Sequence, residues 1–216
     1  MKRRSSSGSR FLWGLLWLSL ALLQAWNHYR DKPVSTQPPE AESRFVALAN
    51  AQLVEDAGND GDSFKIAHDG SEHVLRLYFV DCPEKRLYPL VKNRLKDQAA
   101  YFGGLSIPQT EKLGLEAKAF TEKLLHEQGF SIQTRWERVY DSARSYALVF
   151  FDDGEELSEK LVREGLCRIH TKGTWMPDGR REFDFETHLR ALEKEAKAAK
   201  RGAWGRPKPV PSTSNP

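Results

Sequence analysis

The sequence predicts an α+β domain, a small barrel of short strands with about three helices packed on it, behind an N-terminal signal or anchor segment. Three observations lead there. Short apolar or alternating segments recur between turn residues, which is the pattern of strands. Three longer segments repeat apolar residues at helical spacing. The first 26 residues differ in kind from the rest, being basic at the start and then apolar.

At the N-terminus, Lys2, Arg3 and Arg4 lead into the apolar run 11–26, which is shorter than the roughly 20 residues a membrane span needs. Ser19 and Ala21 fit a small-x-small cleavage site, whereas Leu22, Leu23 and Trp26 prolong the run past it. Segment 1–26 therefore reads as a signal peptide or as a retained anchor. Either places the rest of the chain outside the cytoplasm, secreted or periplasmic, with residues 11–26 as the tether in the second case. Residues 27–44, with Pro33, Pro38 and Pro39, read as a linker, 45–206 as the folded domain and 207–216 as a disordered tail.

Within the domain, strands are expected at 45–54, 63–68, 74–80, 132–139, 146–151 and 166–169. In the third, Leu75, Leu77 and Phe79 alternate with Arg76 and Tyr78, which puts the arginine on the face opposite those apolar side chains. Helical stripes run through Leu113, Ala117, Phe120 and Leu124, through Leu157 and Leu161 up to Gly165, and through Phe185, Leu189, Leu192, Ala196 and Ala199. The stripes read as core. Short strands with packed helices suggest the small barrel.

Charge excludes a protein that binds polyanions through bulk basicity. The chain carries 33 basic and 30 acidic residues, but Lys2, Arg3, Arg4 and Arg10 precede the apolar run, which leaves 29 basic against those 30. Any nucleic-acid affinity must come from a local patch and weaken with salt. The six histidines include no close pair at metal-binding spacing, and no glycine-rich phosphate loop or serine-nucleophile motif is evident.

Chemistry concentrates in residues 59–84. Asp60 and Asp62 flank Gly61 at one turn, Asp81 and Glu84 flank Cys82 and Pro83 at another, and Arg76 lies on the strand between them. Two carboxylate clusters on adjacent turns suit a hard cation with oxygen ligands, and a cation beside an arginine is equipment for work on a phosphodiester. Singly, each feature has a structural reading, since Asp-Gly is a common hairpin turn and a strand arginine pairs with any nearby carboxylate.

Together and in this order the residues resemble the staphylococcal nuclease (thermonuclease-like) family. Asp60-Gly61-Asp62-Ser63 is followed by Arg76, Leu77, Val80, Asp81, Pro83 and Glu84. The segment 141–149 resembles the family's stretch with a second arginine, here Arg144. Segment 157–169 resembles the helix and strand after it, and 189–204 the terminal helix. The likeness covers about 52–204, and the order of several motifs makes it specific. It implies an OB-fold, a five-stranded β-barrel with three helices.

By resemblance, Asp62, Asp81 and the main-chain carbonyl of Cys82 hold Ca²⁺. Glu84 acts as general base or water-positioner, and Arg76 and Arg144 neutralise the transition state. The implied activity is calcium-dependent hydrolysis of DNA or RNA to 3′-phosphate and 5′-hydroxyl ends by a monomer that meets a membrane only through its N-terminal anchor. The alternative is a non-catalytic OB-fold nucleic-acid-binding module. The chain departs from the family in several places. Cys82 and Ser63 stand where threonines are usual, the lead-in to Arg144 lacks a lysine and a tyrosine, and His170, Thr171 and Lys172 replace stacking tyrosines, with Trp175 as a candidate substitute. The stretch 85–112 is longer than in the archetype; 91–102 reads as an extra amphipathic helix, taken here as surface elaboration, with cover over the site as the alternative. Cys82 and Cys167 are the only cysteines. They read as separate buried thiols or as a disulfide, and the resemblance favours the bond.

Overall fold

The computed structural model describes residues 44–209. The expected signal or anchor, nearly all of the linker and residues 210–216 of the tail lie outside the described residues. Among the described residues, no helix is long and apolar enough to cross a membrane.

Eight strands form, β1 (Val46–Leu48), β2 (Gln52–Leu53), β3 (Ser63–His68), β4 (Ser71–Leu77), β5 (Val80–Asp81), β6 (Phe130–Arg138), β7 (Arg144–Phe151) and β8 (Arg168–Ile169). Four α-helices accompany them, α1 (Lys92–Tyr101), α2 (Ile107–Glu127), α3 (Leu157–Arg163) and α4 (Glu182–Ala198). The fold is α+β, as the sequence predicts.

The strands make a six-stranded sheet in the order β1-β6-β7-β4-β3-β2 and a separate β5-β8 ladder. This pairing does not show the closed five-stranded barrel that the resemblance implies. Two breaks account for the difference. The expected strand 45–54 splits at Asn50, whose φ is 57°, so that β1 pairs with β6 and β2 with β3 at opposite ends of the sheet. Only residues 49–51 join them, a reach of at most about 14 Å. The sheet therefore curls until its edges approach.

The second break is at Phe79, where φ is 67°. The Tyr78 amide still donates to the Ala147 carbonyl in β7, but the Phe79 amide donates to Lys172, and the chain then enters the ladder with β8. A left-handed conformation is costly for a bulky residue, and the full burial of the Phe79 ring against Phe185 offsets it. The functional residues gather at this transfer between sheets.

The β3-β4 hairpin turns on Asp69 and Gly70, both at positive φ, the geometry that a two-residue Asp-Gly loop supplies. Along β3 and β4, Phe64, Ile66, Leu75 and Leu77 point into the core. They meet Ile132, Leu148 and Val149 of the sheet and Leu113, Ala117, Phe185 and Leu189 of the helices. The expected stripes are core, except that Phe120 is half-buried and Ala199 is the exposed C-cap of α4.

The expected extra helix is present as α1, ended by Gly103 and Gly104 at positive φ. The long helix α2 opens with a Ser106–Gln109 capping box. Beyond α4, Gln109 Nε2 donates to the Pro207 carbonyl at 2.9 Å, and Lys208 Nζ donates to the Phe102 carbonyl. The first residues assigned to the tail are thus tied to the domain.

Candidate active site

The small-residue face of α2 carries both acidic turns. Gly61 lies so close to it that a Cβ there would stand 2.7 Å from the Ala117 methyl and 2.8 Å from Cys82 Sγ. Thr121 Oγ1 anchors the same turn by donating to the Gly61 carbonyl at 2.7 Å. These contacts bring Asp62, at the foot of β3, beside the 81–84 turn, and the Cys82 amide donates to Asp62 Oδ2.

Arg76 stands between the two turns on β4. Its guanidinium donates to Asp62 Oδ1 at 2.8 Å and to Asp81 Oδ1 at 2.6 Å. Its side chain is only 8% exposed. Arg144 opens β7 in parallel register with β4, opposite Val74. Both arginines donate to Ser63 Oγ at 3.4 Å, and that hydroxyl donates to Asp62 Oδ1. Glu84, Asp60, Asp62, Arg76, Arg144 and Cys82 all border one cleft of about 280 Å³. Asp81 borders a neighbouring cleft that shares Arg76 and Arg144; the other residues singled out in the sequence converge here.

Sequence reasoning passed over three partners. Arg168 of β8 donates from Nε to Asp81 Oδ2 at 2.7 Å. Arg94 of α1 pairs with Asp81 Oδ1 and, through its other terminal nitrogen, with Glu84 Oε1 at 2.7 Å. Gln98, fully buried one turn further along α1, donates to Asp81 Oδ2 at 2.8 Å and to the Cys82 carbonyl at 2.9 Å. Its Oε1 accepts from the Glu84 amide at 3.0 Å. The helix expected as surface elaboration is thus part of the site. The signal in the sequence was the four-residue spacing of Arg94 and Gln98, which sets them on one helix face.

This environment pushes the carboxyls in different directions. Burial alone would raise Asp81, but Arg76, Arg94, Gln98 and Arg168 outweigh it and hold Asp81 well below the usual carboxylate range. Asp62 goes up, because burial and the nearby Asp81 charge exceed the help it receives from Arg76 and the Cys82 amide. Glu84 also goes up by burial, opposed by Arg94 and reinforced by Asp60, Asp62 and Asp81. Raised carboxyls beside a depressed one are a common arrangement for acid-base work.

Oxygen donors for a hard cation are present in part. Asp60 Oδ1 is buried without a hydrogen-bond partner, although Lys85 Nζ lies 2.9 Å away in an ion pair lacking hydrogen-bond geometry. Asp62 and Glu84 border the same cleft. Among the described residues no three His, Cys, Asp or Glu side chains group closely enough to hold a metal. Calcium takes mixed oxygen ligands from carboxylates, carbonyls and water, and of these the cleft offers the carboxylates of Asp60, Asp62 and Glu84.

Cys82 and Cys167 are both buried free thiols. The disulfide suggested by the resemblance is not formed, and the two thiols lie near enough for each to influence the other's ionisation.

An α+β fold that brings two arginines, a raised glutamate and the aspartates Asp60 and Asp62 to one cleft has the donors to receive a phosphate group. The profile of the staphylococcal nuclease homologue family matches residues 74–206, and the chain belongs to that family. Membership gives it a nuclease-type or nucleic-acid-binding function. No curated protein matches the chain.

Proposed function

We propose that the protein is a calcium-dependent nuclease that hydrolyses phosphodiester bonds of DNA or RNA and leaves 3′-phosphate and 5′-hydroxyl ends. The observation that supports this most directly is the convergence of Arg76 and Arg144 on one hydroxyl, Ser63 Oγ, at the cleft that Glu84 borders. A phosphodiester attacked by water gains charge on its equatorial oxygens. Two guanidinium groups that each bring one terminal nitrogen to that hydroxyl can supply donors for that charge, and neither deprotonates near neutral pH. Glu84 takes or orients the proton of the attacking water. Asp62, Asp81 and the Cys82 carbonyl would hold calcium, which would supply positive charge to the phosphate.

Arg76 occupies both aspartates in the free protein, and Arg94, Arg168 and Gln98 also hold Asp81, so a cation at Asp81 would require those donors to yield part of their contact. The second reading, a binding module without turnover, is disfavoured by the carboxylates: a site that only binds an anion gains nothing from Asp60, Asp62 and Glu84 beside it. The basic start and apolar run of the first 26 residues support export, with the nuclease acting as a monomer outside the cytoplasm.

The test is incubation of the protein with single- and double-stranded DNA and RNA, in calcium or in chelator. Cleavage in calcium alone is expected, and Glu84→Gln lowers it by about a hundredfold, the scale of losing an acid-base group. Undiminished cleavage in chelator sinks the metal assignment. Calcium should also raise the unfolding temperature of the protein but not that of Asp62→Ala. A fusion of residues 1–44 to a reporter active only outside the cytoplasm tests export, and a reporter confined to the cytoplasm refutes it.

A further inference from the structure

We propose that Arg94, carried by α1, is a third phosphate-binding arginine of this site and that it exchanges partners, a substrate phosphate taking the place on its guanidinium that Glu84 holds in the free protein. The catalytic half of this inference rests on the nuclease reading above; the binding half does not.

Position is the first argument. Two clefts meet at the site. One, of about 280 Å³, carries Asp60, Asp62 and Glu84; the other, of about 380 Å³, carries Arg168, His170 and Thr171 together with Asp81 and Asp97. Arg76, Arg94 and Arg144 border both; with Arg168 they outnumber the two carboxylates of the larger cleft, whereas three carboxylates match them in the smaller, so Arg94 stands between a more acidic compartment and a more cationic one. A phosphate drawn into the cationic cleft by its arginines meets Arg94 on arrival.

Freedom to exchange is the second. Arg76 is 8% exposed and gripped by two buried aspartates, whereas the Arg94 side chain is 35% exposed and keeps one terminal nitrogen on buried Asp81 and the other on the less deeply buried Glu84. With one partner a third exposed, the Arg94–Glu84 pair is held more loosely than the pairs Arg76 makes with two buried aspartates. A phosphodiester oxygen can take the place of Glu84 on that terminal nitrogen while the other nitrogen stays on Asp81. The exchange also leaves the Glu84 carboxylate without its counter-charge and free to engage water. In the free protein, conversely, Arg94 occupies the residue assigned to water activation.

Gln98 is the positioning residue. It is fully buried and makes three hydrogen bonds to the 81–84 turn, one accepted from the Glu84 amide and two donated to Asp81 and to the Cys82 carbonyl. One helical turn away from it, Arg94 has no choice but to face the site.

The experiment uses the full chain with Arg94→Ala and Arg94→Lys. Binding of a fluorescein-labelled single-stranded DNA oligonucleotide is followed by anisotropy across a salt series in chelator, where no turnover occurs, and kcat and KM are then measured in calcium. Arg94→Ala should weaken binding about tenfold and make the slope of log K against log salt shallower by about 0.7, one phosphate contact on a single strand. It should also raise KM and lower kcat. Arg94→Lys should recover most of the binding and little of the kcat, since an ammonium keeps the charge and loses the fork. Unchanged binding, slope and KM in Arg94→Ala overturn the proposal, as does an equal loss in both variants together with a lower unfolding temperature, which marks a structural role. If Arg94→Ala does not fold, Arg94→Lys decides, and a wild-type kcat in it overturns the proposal. A wild-type protein that binds DNA without cleaving it sinks the nuclease reading alone, and the binding arm still decides Arg94; one that neither binds nor cleaves sinks both.

Discussion

Gly114 on α2 lies against the Pro83 carbonyl so closely that a Cβ at this position would stand 2.3 Å from that oxygen and 2.9 Å from the Glu84 backbone. The obstacle is main chain, which cannot swing aside as a flexible side chain can. Gly114→Ala should therefore destabilise the protein by about 1–3 kcal/mol, the usual cost of overpacking, against about 1 kcal/mol gained from helix propensity. Because the displaced segment carries Glu84, turnover should fall further than the loss of stability explains. Thermal unfolding and kcat measured together check this. A more stable variant with unchanged turnover would be the plain helix-propensity result and would refute the contact.

Arg76→Ala and Arg144→Ala should part company in stability while resembling each other in activity. Both remove a guanidinium from the cleft and should lower turnover by about a hundredfold or more. Arg76 is buried between Asp62 and Asp81, however, so its removal leaves two buried carboxylates short of a partner. Breaking such a pair costs about 3–5 kcal/mol. Arg144 is half-buried and its hydrogen bond to Ser63 is long, so Arg144→Ala should unfold within a few degrees of the wild type. Equal stability of the two variants would contradict the burial argument.

The site was legible in the sequence wherever its residues adjoin one another along the chain. Asp62, Arg76, Asp81 and Glu84 fall within two turns and one strand, so spacing alone brought them close, and the helical stripes named the core. Arg168 and Arg94 were not legible. Arg94 reaches Asp81 from α1, 13 positions along the chain, and Arg168 from β8, 87 positions along it, and a polar residue on a helix or strand does not declare which neighbour it faces. The split of the expected first strand turned on the left-handed backbone at Asn50, and the end of β4 on that at Phe79. Phe79 carries no sequence mark of such a turn, since a phenylalanine there reads as ordinary strand.

The pH dependence of stability should carry a mark of Glu156. Its side chain is fully buried at the start of α3, and burial pushes its carboxyl up to about 7 despite hydrogen bonds from Ser158 and from the Val149 amide. Below its ordinary value of 4.5 the folded and unfolded chains both hold the proton. As pH rises through 4.5 the unfolded chain releases it while the fold retains it, so the fold loses stability until about pH 7, where it ionises as well. The loss is about 3 kcal/mol at most. Denaturant unfolding between pH 4.5 and 7 should show this decline, and Glu156→Gln should flatten it. An unaltered slope in the variant would mean that the carboxylate is already ionised in the fold.

Cys82 and Cys167 should behave as a protected pair of thiols. The β5-β8 register sets Val80 opposite Ile169 and Asp81 opposite Arg168, and the same antiparallel step carries Cys82 to Cys167. Burial pushes both thiols up from their ordinary range. The thiolate is the reactive form, so raised pKa and lack of access act together to suppress alkylation. Reduced, folded protein treated with iodoacetamide should therefore stay unmodified over a time in which denatured protein takes up two adducts, counted by mass. Because Cys82 lies between Asp81 and Glu84, rapid native-state modification of that thiol would show that the turn carrying the site opens readily, and the close packing of Gly61 and Ala117 beside its sulfur would then fail to describe the protein in solution.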